Sequence, residues 1–311
     1  MSSSRGLHRL AAATAAATFV LLFVGGLVTS TGSGLAVPDW PLSFGQVFPP
    51  MVGGVLFEHG HRLTAALVGC LTLVLALWIA VAEPRPAVRV AGLLAFFAVV
   101  LQGVLGGVTV LYKLPLAVSV THACLAQAFF CLTIVLAIVT GPRWAAQPVK
   151  VDSDEPTLAF LAGTTTAVVF GQLVLGALMR HMGAGLAIPD FPLAFGRVLP
   201  PFATPLITVH FAHRAGAVAV GLAVGVTAVQ VLRHCPELRR TALLAATLVL
   251  VQITLGASII WTRRAVVPTT AHLAVGAALL ATCVALTLHA ARAARTRISP
   301  APIGFHREVL A

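Results

Sequence analysis

Charged side chains are scarce in this sequence. Asp, Glu, Lys and Arg together make up 9% of the 311 residues, whereas 59% are hydrophobic, and the mean hydropathy is +0.98. A disordered chain has the opposite composition, and a soluble enzyme needs a much more polar surface. The composition therefore excludes disorder, disfavours a soluble enzyme and predicts an integral membrane protein whose surroundings are a lipid bilayer.

Acidic residues are rarer still, which leaves a net charge of +11 and a pI near 11.2. Such an excess of positive charge is also found in nucleic-acid-binding proteins, where basic residues form stripes or patches. Here the basic residues lie between long apolar blocks instead. No nucleic-acid partner is predicted.

The charges divide the chain into eight uncharged runs of at least 18 residues, and about 20 residues are needed to cross a bilayer as a helix. The first run follows Arg5 and Arg9, as in a signal peptide, but it is long and has no clear cleavage site, so we expect a helix. The sequence predicts an all-α integral membrane fold of eight transmembrane helices. The runs are 10–38, 63–82, 90–112, 114–142, 156–179, 215–232, 241–262 and 265–291.

The second half of the chain repeats the first. GSGLAVPDWPLSFGQVFPP at 32–50 matches GAGLAIPDFPLAFGRVLPP at 183–201 in thirteen of nineteen positions. His61-Arg62 recurs as His213-Arg214 at nearly the same offset. Four spans in each copy predict two pseudo-symmetric parallel four-helix bundles, 1–145 and 157–311, joined by a linker at 146–156.

Lys and Arg are distributed unequally between the two sides of this topology. Thirteen lie on the side of the termini and seven on the side of the duplicated loops. The positive-inside rule therefore predicts that both termini are cytoplasmic and that the loops face outward.

Four histidines recur in pairs: His61 with His213, and His122 with His272. Each falls in an even-numbered span, within about two turns of its outer end, or roughly 10 Å. A histidine inside a membrane indicates a functional site, although one that hydrogen-bonds neighbouring helices is an alternative. No matching Cys or carboxylate completes a zinc site in each repeat. Two facing imidazoles in an apolar bundle suit haem iron.

Charged neighbours distinguish the two sites. Arg62 and Arg214 can each pair with a haem propionate, or else extend to the lipid headgroups. Glu58 lies one turn before His61, whereas the equivalent position in the second repeat is His210. A single carboxylate predicts proton-coupled chemistry at the first site and electron transfer at the second; a Glu58 that is solvated or paired with Arg62 is the alternative. His210 can also compete with His213 as a ligand, and the unrepeated His59 and His181 are expected in loops or at the surface.

The Glu58-His-Gly-His-Arg62 motif, the duplicated loop and the four-histidine pattern together resemble the haem A synthase family over nearly the whole chain. Many bacterial members carry a cysteine pair in the first outer loop, but Val37 and Ser43 stand at those positions here. The five cysteines lie within spans or at the cytoplasmic side. The chain resembles the branch without outer-loop cysteine pairs.

The resemblance implies an enzyme of a bacterial cytoplasmic membrane that oxidises a methyl group of haem O to a formyl group, through a hydroxymethyl intermediate, for cytochrome oxidase assembly. It implies that His61 and His122 bind the substrate haem O and that His213 and His272 bind a haem b cofactor. Glu58 matches the catalytic carboxylate. Haem O synthase and an unidentified electron donor are the implied partners. A dihaem b-type electron-transfer protein that reacts with quinone is the alternative, and a transporter with parallel repeats is a third.

Overall fold

The computed structural model describes residues 2–145 and 157–298, and its main elements in these two ranges are helices. Met1, the predicted linker 146–156 with its acidic cluster, and residues 299–311 lie outside the described residues. The long helices are α1 (Ser2–Ser30), α2 (Gly54–Ala82), α3 (Pro86–Leu111), α4 (Leu116–Val139), α6 (Thr157–His181), α7 (Pro205–His234), α8 (Arg239–Trp261) and α9 (Val266–Ile298), and α5 (Pro142–Ala145) is a single turn.

Eight of the described helices are long and apolar enough to cross a membrane, which confirms the predicted fold class. Two helices extend beyond their uncharged runs, since α2 begins at Gly54 and α7 at Pro205. Arg62 and Arg214, which precede those runs, lie in the third turn of these helices and have polar partners. The uncharged runs therefore mark only part of each helix.

Large apolar side chains cover the outside of the helices; Val81, Phe160 and Val267 are 86%, 76% and 79% exposed. In a bilayer these side chains contact lipid. Inside, Leu75, Ile79 and other apolar residues of α1–α4 form one core, and a second core lies among α6–α9. Buried hydroxyls such as those of Thr14, Thr18 and Thr72 donate to the carbonyl four residues earlier, so these three groups are hydrogen-bonded inside the apolar interior.

Helices α1 to α4 pack in a closed ring, in which α1 contacts both α2 and α4, and α6 to α9 pack in the same way. The rings meet through α1, α4, α6 and α9, where Leu22, Phe130 and Ala277 form a shared apolar cluster. The division into two pseudo-symmetric bundles stays a prediction, and these matched contacts favour it.

Two long loops, 31–53 and 182–204, lie on one side of the helices, which we call the loop face. In each loop an aspartate accepts two backbone hydrogen bonds: Asp39 from Phe44 (2.7 Å) and Gly45 (2.8 Å), and Asp190 from Phe195 (2.7 Å) and Gly196 (2.8 Å). The backbone amides of Gly45 and Phe44 hold the pKa of Asp39 below its usual range, and the amides of Gly196 and Phe195 lower the pKa of Asp190. Both turns are therefore held by an ionised carboxylate.

The first loop is also fixed by Trp40, whose indole lies over Gly107 of α3. A Cβ atom on Gly107 would lie 2.6 Å from this ring, so the close packing requires glycine. In the second repeat the corresponding residues are Phe191 and Ala257, a smaller ring with a larger partner. The ring of Phe191 packs edge-on against Trp261 of α8, with centroids 6.1 Å apart.

Candidate functional site

The four repeated histidines lie within about two turns of the ends of α2, α4, α7 and α9 at the loop face. His61 interacts electrostatically with His122, and His213 with His272, so each pair belongs to one ring of helices. The structure therefore brings the predicted ligands together two by two.

The imidazole rings of His213 and His272 lie in a T-shaped, edge-on arrangement, with centroids 6.4 Å apart and planes inclined by 65°. A metal bound between two imidazoles at about 2.0–2.1 Å from each nitrogen separates the ring centroids by roughly 6 Å. Inclined planes are compatible with such a site, because each ring can rotate about its metal–nitrogen bond. The spacing of this pair fits a haem iron with two axial histidines.

Polar contacts orient both rings of this pair. Nδ1 of His272 lies 3.1 Å from the backbone oxygen of Gln252. The side-chain Nε2 of Gln172 lies 3.1 Å from Nδ1 of His213 and donates to the backbone oxygen of His213 at 2.8 Å. When Nδ1–H of His272 donates to this carbonyl oxygen, Nε2 of His272 is free to bind a metal, as is usual for histidine ligands. The amide nitrogen of Gln172 is a donor, so its contacts orient the ring of His213 without holding a proton on Nδ1.

Glycines give the rings their space. A Cβ on Gly25 would lie 3.0 Å from Cε1 of His61, and one on Gly176 would lie 2.9 Å from Cε1 of His213. A Cβ on Gly106 would lie 3.3 Å from Cε1 of His122, and one on Gly256 would lie 3.3 Å from Cε1 of His272. These glycines match at the offset of the repeat, so both pairs are built on the same backbone arrangement.

The first pair is held less firmly than the second. Nδ1 of His61 and Nδ1 of His122 are buried and have no hydrogen-bond partner among the described residues. Gln102 reaches only the backbone oxygen of His122, to which it donates at 3.0 Å. The imidazoles of the first pair are therefore freer to change orientation than those of the second.

Glu58 is 3% exposed and lies one turn from His61. Its Oε2 accepts from the backbone N–H of Val37 at 2.8 Å, and its Oε1 pairs with Arg62 at 2.7 Å. The structure thus contains the ion pair between Glu58 and Arg62, which was one of the alternatives that the sequence left open. Glu58 is a buried, fully bonded carboxylate that joins the first loop to the histidine helix.

His210 occupies the corresponding position in the second repeat and has the corresponding partner. The backbone N–H of Ile188 donates to Nδ1 of His210 at 3.2 Å. This nitrogen faces the second loop, so the contact is with the loop rather than with the space between His213 and His272. Only the first site carries a carboxylate at this position.

Arg62 and Arg214 also bind the loops. Nη1 of Arg62 donates to the backbone oxygens of Asp39 and Leu42, both at 2.7 Å. Arg214 donates to the backbone oxygens of Leu193 (2.9 Å) and Asp190 (2.7 Å). A propionate-binding role for the two arginines stays a prediction.

Several site residues were not found from the sequence. His59 was expected in a loop or at the surface, which is wrong: it is 5% exposed in α2, and its Nδ1 lies 2.8 Å from Oγ of Ser43. Gln172 has no counterpart in the first repeat, so the search for repeated residues missed it. The proximity of Arg180 to the second histidine pair depends on contacts between helices that are distant in the chain, which no local sequence pattern predicts.

Comparison with known proteins agrees with this arrangement. Residues 52–284 match the family model for cytochrome oxidase assembly protein. A haem A synthase of Symbiobacterium thermophilum is 32% identical over 262 residues, which cover 81% of this chain and 85% of the relative. Haem A synthases of Shouchella clausii and Alkalihalophilus pseudofirmus are 29% and 31% identical, over 84% and 81% of this chain and 89% and 86% of the respective relative. The chain therefore belongs to the cytochrome oxidase assembly protein family, in which these haem A synthases are its relatives.

Proposed function

We propose that this chain is a haem A synthase, a membrane-bound oxidoreductase that converts a methyl group of haem O into a formyl group. The methyl carbon is oxidised first to a hydroxymethyl group and then to the aldehyde, with molecular oxygen as the expected oxidant. The observation that carries the proposal is the presence of two matched histidine pairs, of which only one has a buried carboxylate beside it. A protein that only transfers electrons does not need this difference.

The substrate haem O is assigned to His61 and His122. A substrate must enter and leave, and ligands without a fixed Nδ1 partner can release the iron more easily than oriented ones. The surrounding helices present apolar faces to the membrane, from which the hydrophobic tail of haem O can enter the first ring of helices.

His213 and His272 are assigned to a resident haem b. Their 6.4 Å spacing and their contacts with Gln172 and Gln252 suit a permanently bound group. Haem b supplies reversible one-electron transfer when bound. The residues of this site would hold and orient the cofactor within an apolar interior.

Glu58 is the proposed catalytic carboxylate. It places a buried negative charge one turn from His61, where it can stabilise positive charge that develops at the reacting carbon. Arg62 fixes the position of this charge through the 2.7 Å ion pair, and the Val37 amide holds the second oxygen. We also propose that Arg62 and Arg214 contribute to propionate binding, with Arg214 using its Nε, which is buried without a partner among the described residues.

The proposed topology places the loop face outside a bacterial cytoplasmic membrane and both termini in the cytoplasm, as the distribution of Lys and Arg predicts. The haem sites then lie toward the outer face. Haem O synthase is the proposed source of the substrate, and the electron donor is a separate partner. Reporter fusions at each end of the chain test the orientation: a cytoplasmic reporter active at both ends supports it, and an exported reporter active at either end contradicts it.

The function is tested by expressing the full chain with a haem O synthase and separating the extracted haems by chromatography. We expect haem A, together with the hydroxymethyl form at early times. A folded, haem-loaded preparation that yields only haem O and haem b would contradict the proposal and favour an electron-transfer protein. The His61→Ala variant is the matched control, since it should retain haem b and form no haem A.

A further inference from the structure

Arg180 lies in the last turn of α6 and extends across the boundary between the two rings of helices. Its Nη2 donates to the backbone oxygen of Gly26 at 3.2 Å and to Oγ of Ser30 at 3.1 Å, both in α1. Both acceptors are neutral. Its Nε is buried and has no hydrogen-bond partner within the described ranges. A partly buried guanidinium in this state lacks the anion that normally compensates its charge.

The surroundings of Arg180 place it beside the second histidine pair. A Cβ on Gly26 would lie 3.4 Å from Thr270, and Oγ1 of Thr270 donates to Oγ of Ser30 at 3.0 Å. Thr270 is in α9, two residues before His272, and the charge of Arg180 acts on the imidazole of His272. The next residue, His181, acts on His122 of the first pair. The end of α6 therefore lies between the two sites.

Among the residues that the structure describes, no carboxylate at the loop face is left to pair with Arg180. Asp39 and Asp190 bind backbone amides of their own loops, and Glu58 is paired with Arg62. Arg264 adds a second positive charge near Arg180. The position is thus a region of unbalanced positive charge beside a site that fits haem, and an anion from outside the chain is needed to balance it.

Haem carries two propionate carboxylates, and arginine binds carboxylates through paired, charge-assisted hydrogen bonds. We propose that Arg180 binds a propionate of the haem held by His213 and His272. The inference rests on the proposed function, because it requires that this site holds haem. Since the same guanidinium contacts Gly26 and Ser30, bound haem b also stabilises the contact between α6 and α1.

The test compares haem b with its dimethyl ester, in which both propionate charges are removed. Affinities are measured by titration of the Soret absorbance in full-length protein that carries His61→Ala, so that the second pair is the intact site. We expect Arg180→Gln to weaken haem b binding by roughly 10- to 100-fold, which is the change in affinity expected when one charge-assisted hydrogen bond is lost. Binding of the dimethyl ester should be the same with and without the substitution.

The matched control is Arg263→Gln, which removes an exposed arginine from the same face and should leave both affinities unchanged. An equal loss for haem b and the ester would show a purely structural role for Arg180 and overturn the proposal, as would no loss for either. If Arg180→Gln does not fold, Arg180→Lys decides in the same way: haem b should bind more weakly and the ester should not. Protein that binds neither ligand before Arg180 is changed would instead contradict the proposed function.

Discussion

Glu58 and His210 bind equivalent backbone N–H groups of the two outer loops. Glu58 accepts from the N–H of Val37 at 2.8 Å, and His210 accepts from the N–H of Ile188 at 3.2 Å. The two residues therefore share a structural role, and only Glu58 adds a buried negative charge. This relationship allows the loop contact and the charge to be tested separately.

We expect Glu58→Gln to retain both haems and to lose haem A formation by about 100- to 1000-fold, because glutamine keeps an acceptor for Val37 but removes the charge. The measurement is haem A formed per folded protein, with the haem content from the absorption spectrum. His210→Gln is the control, since it alters the equivalent loop contact without removing a carboxylate, and it should retain most activity. Equal losses in the two variants would assign the effect to the loops.

The glycines beside the histidines should be intolerant of a side chain. Gly176→Ala places a methyl group 2.9 Å from His213, so we expect the ring to move and the haem content of the purified protein to fall at least several-fold. Gly171→Ala, in the same helix, meets no atom within 4 Å among the described residues and should bind haem normally. Full haem content in Gly176→Ala would show that His213 does not need its present orientation.

Trp40 and Gly107 should be energetically coupled. Gly107→Ala alone brings a methyl group within 2.6 Å of the indole, and we expect a cost of about 1–3 kcal/mol in stability. Trp40→Phe should recover part of this cost, because the second repeat combines Phe191 with Ala257. Thermal unfolding of the two single variants and the double variant in detergent gives the coupling free energy. Additive effects would contradict the packing.

The first loop should open in acid. Because backbone amides of Gly45 and Phe44 lower the pKa of Asp39 in the folded loop, its stabilising contribution is fully present above the ordinary pKa and is lost as pH falls through the lowered value, below about 4. Trp40 fluorescence, taken as the difference from a Trp40→Phe protein, should report greater exposure in this range. Asp39→Asn should remove the transition, and an unchanged transition in that variant would assign the opening to another group.

Much of this molecule follows from sequence patterns that act locally or repeat. Long uncharged runs predicted the eight helices, which the structure confirms, and the duplication identified the four histidines and the special position of Glu58. The resemblance of the sequence to haem A synthases indicated the same family as the comparison with known proteins. The histidine pairs recur because the glycines beside them recur in the same helical turns.

The remaining features depend on contacts between segments that are distant in the chain. The helices α2 and α7 extend beyond their uncharged runs because Arg62 and Arg214 lie inside these helices and bind loop oxygens. His59 is buried because Ser43 of the loop lies against it. Arg180 meets α1 about 150 residues away in sequence, and no local pattern predicts such a contact.

The most direct test of the account is the absorption spectrum of the purified protein, produced with sufficient haem, compared with the spectra of His213→Ala and His272→Ala. We predict a Soret band and the visible bands of a six-coordinate low-spin haem in the protein that retains both histidines. All three proteins also carry His61→Ala, so that only the second pair is intact; either substitution should then abolish that signal, while Gly171→Ala should leave it unchanged. A colourless protein, or an identical low-spin spectrum in both histidine variants, would contradict the claim that these two imidazoles bind haem iron.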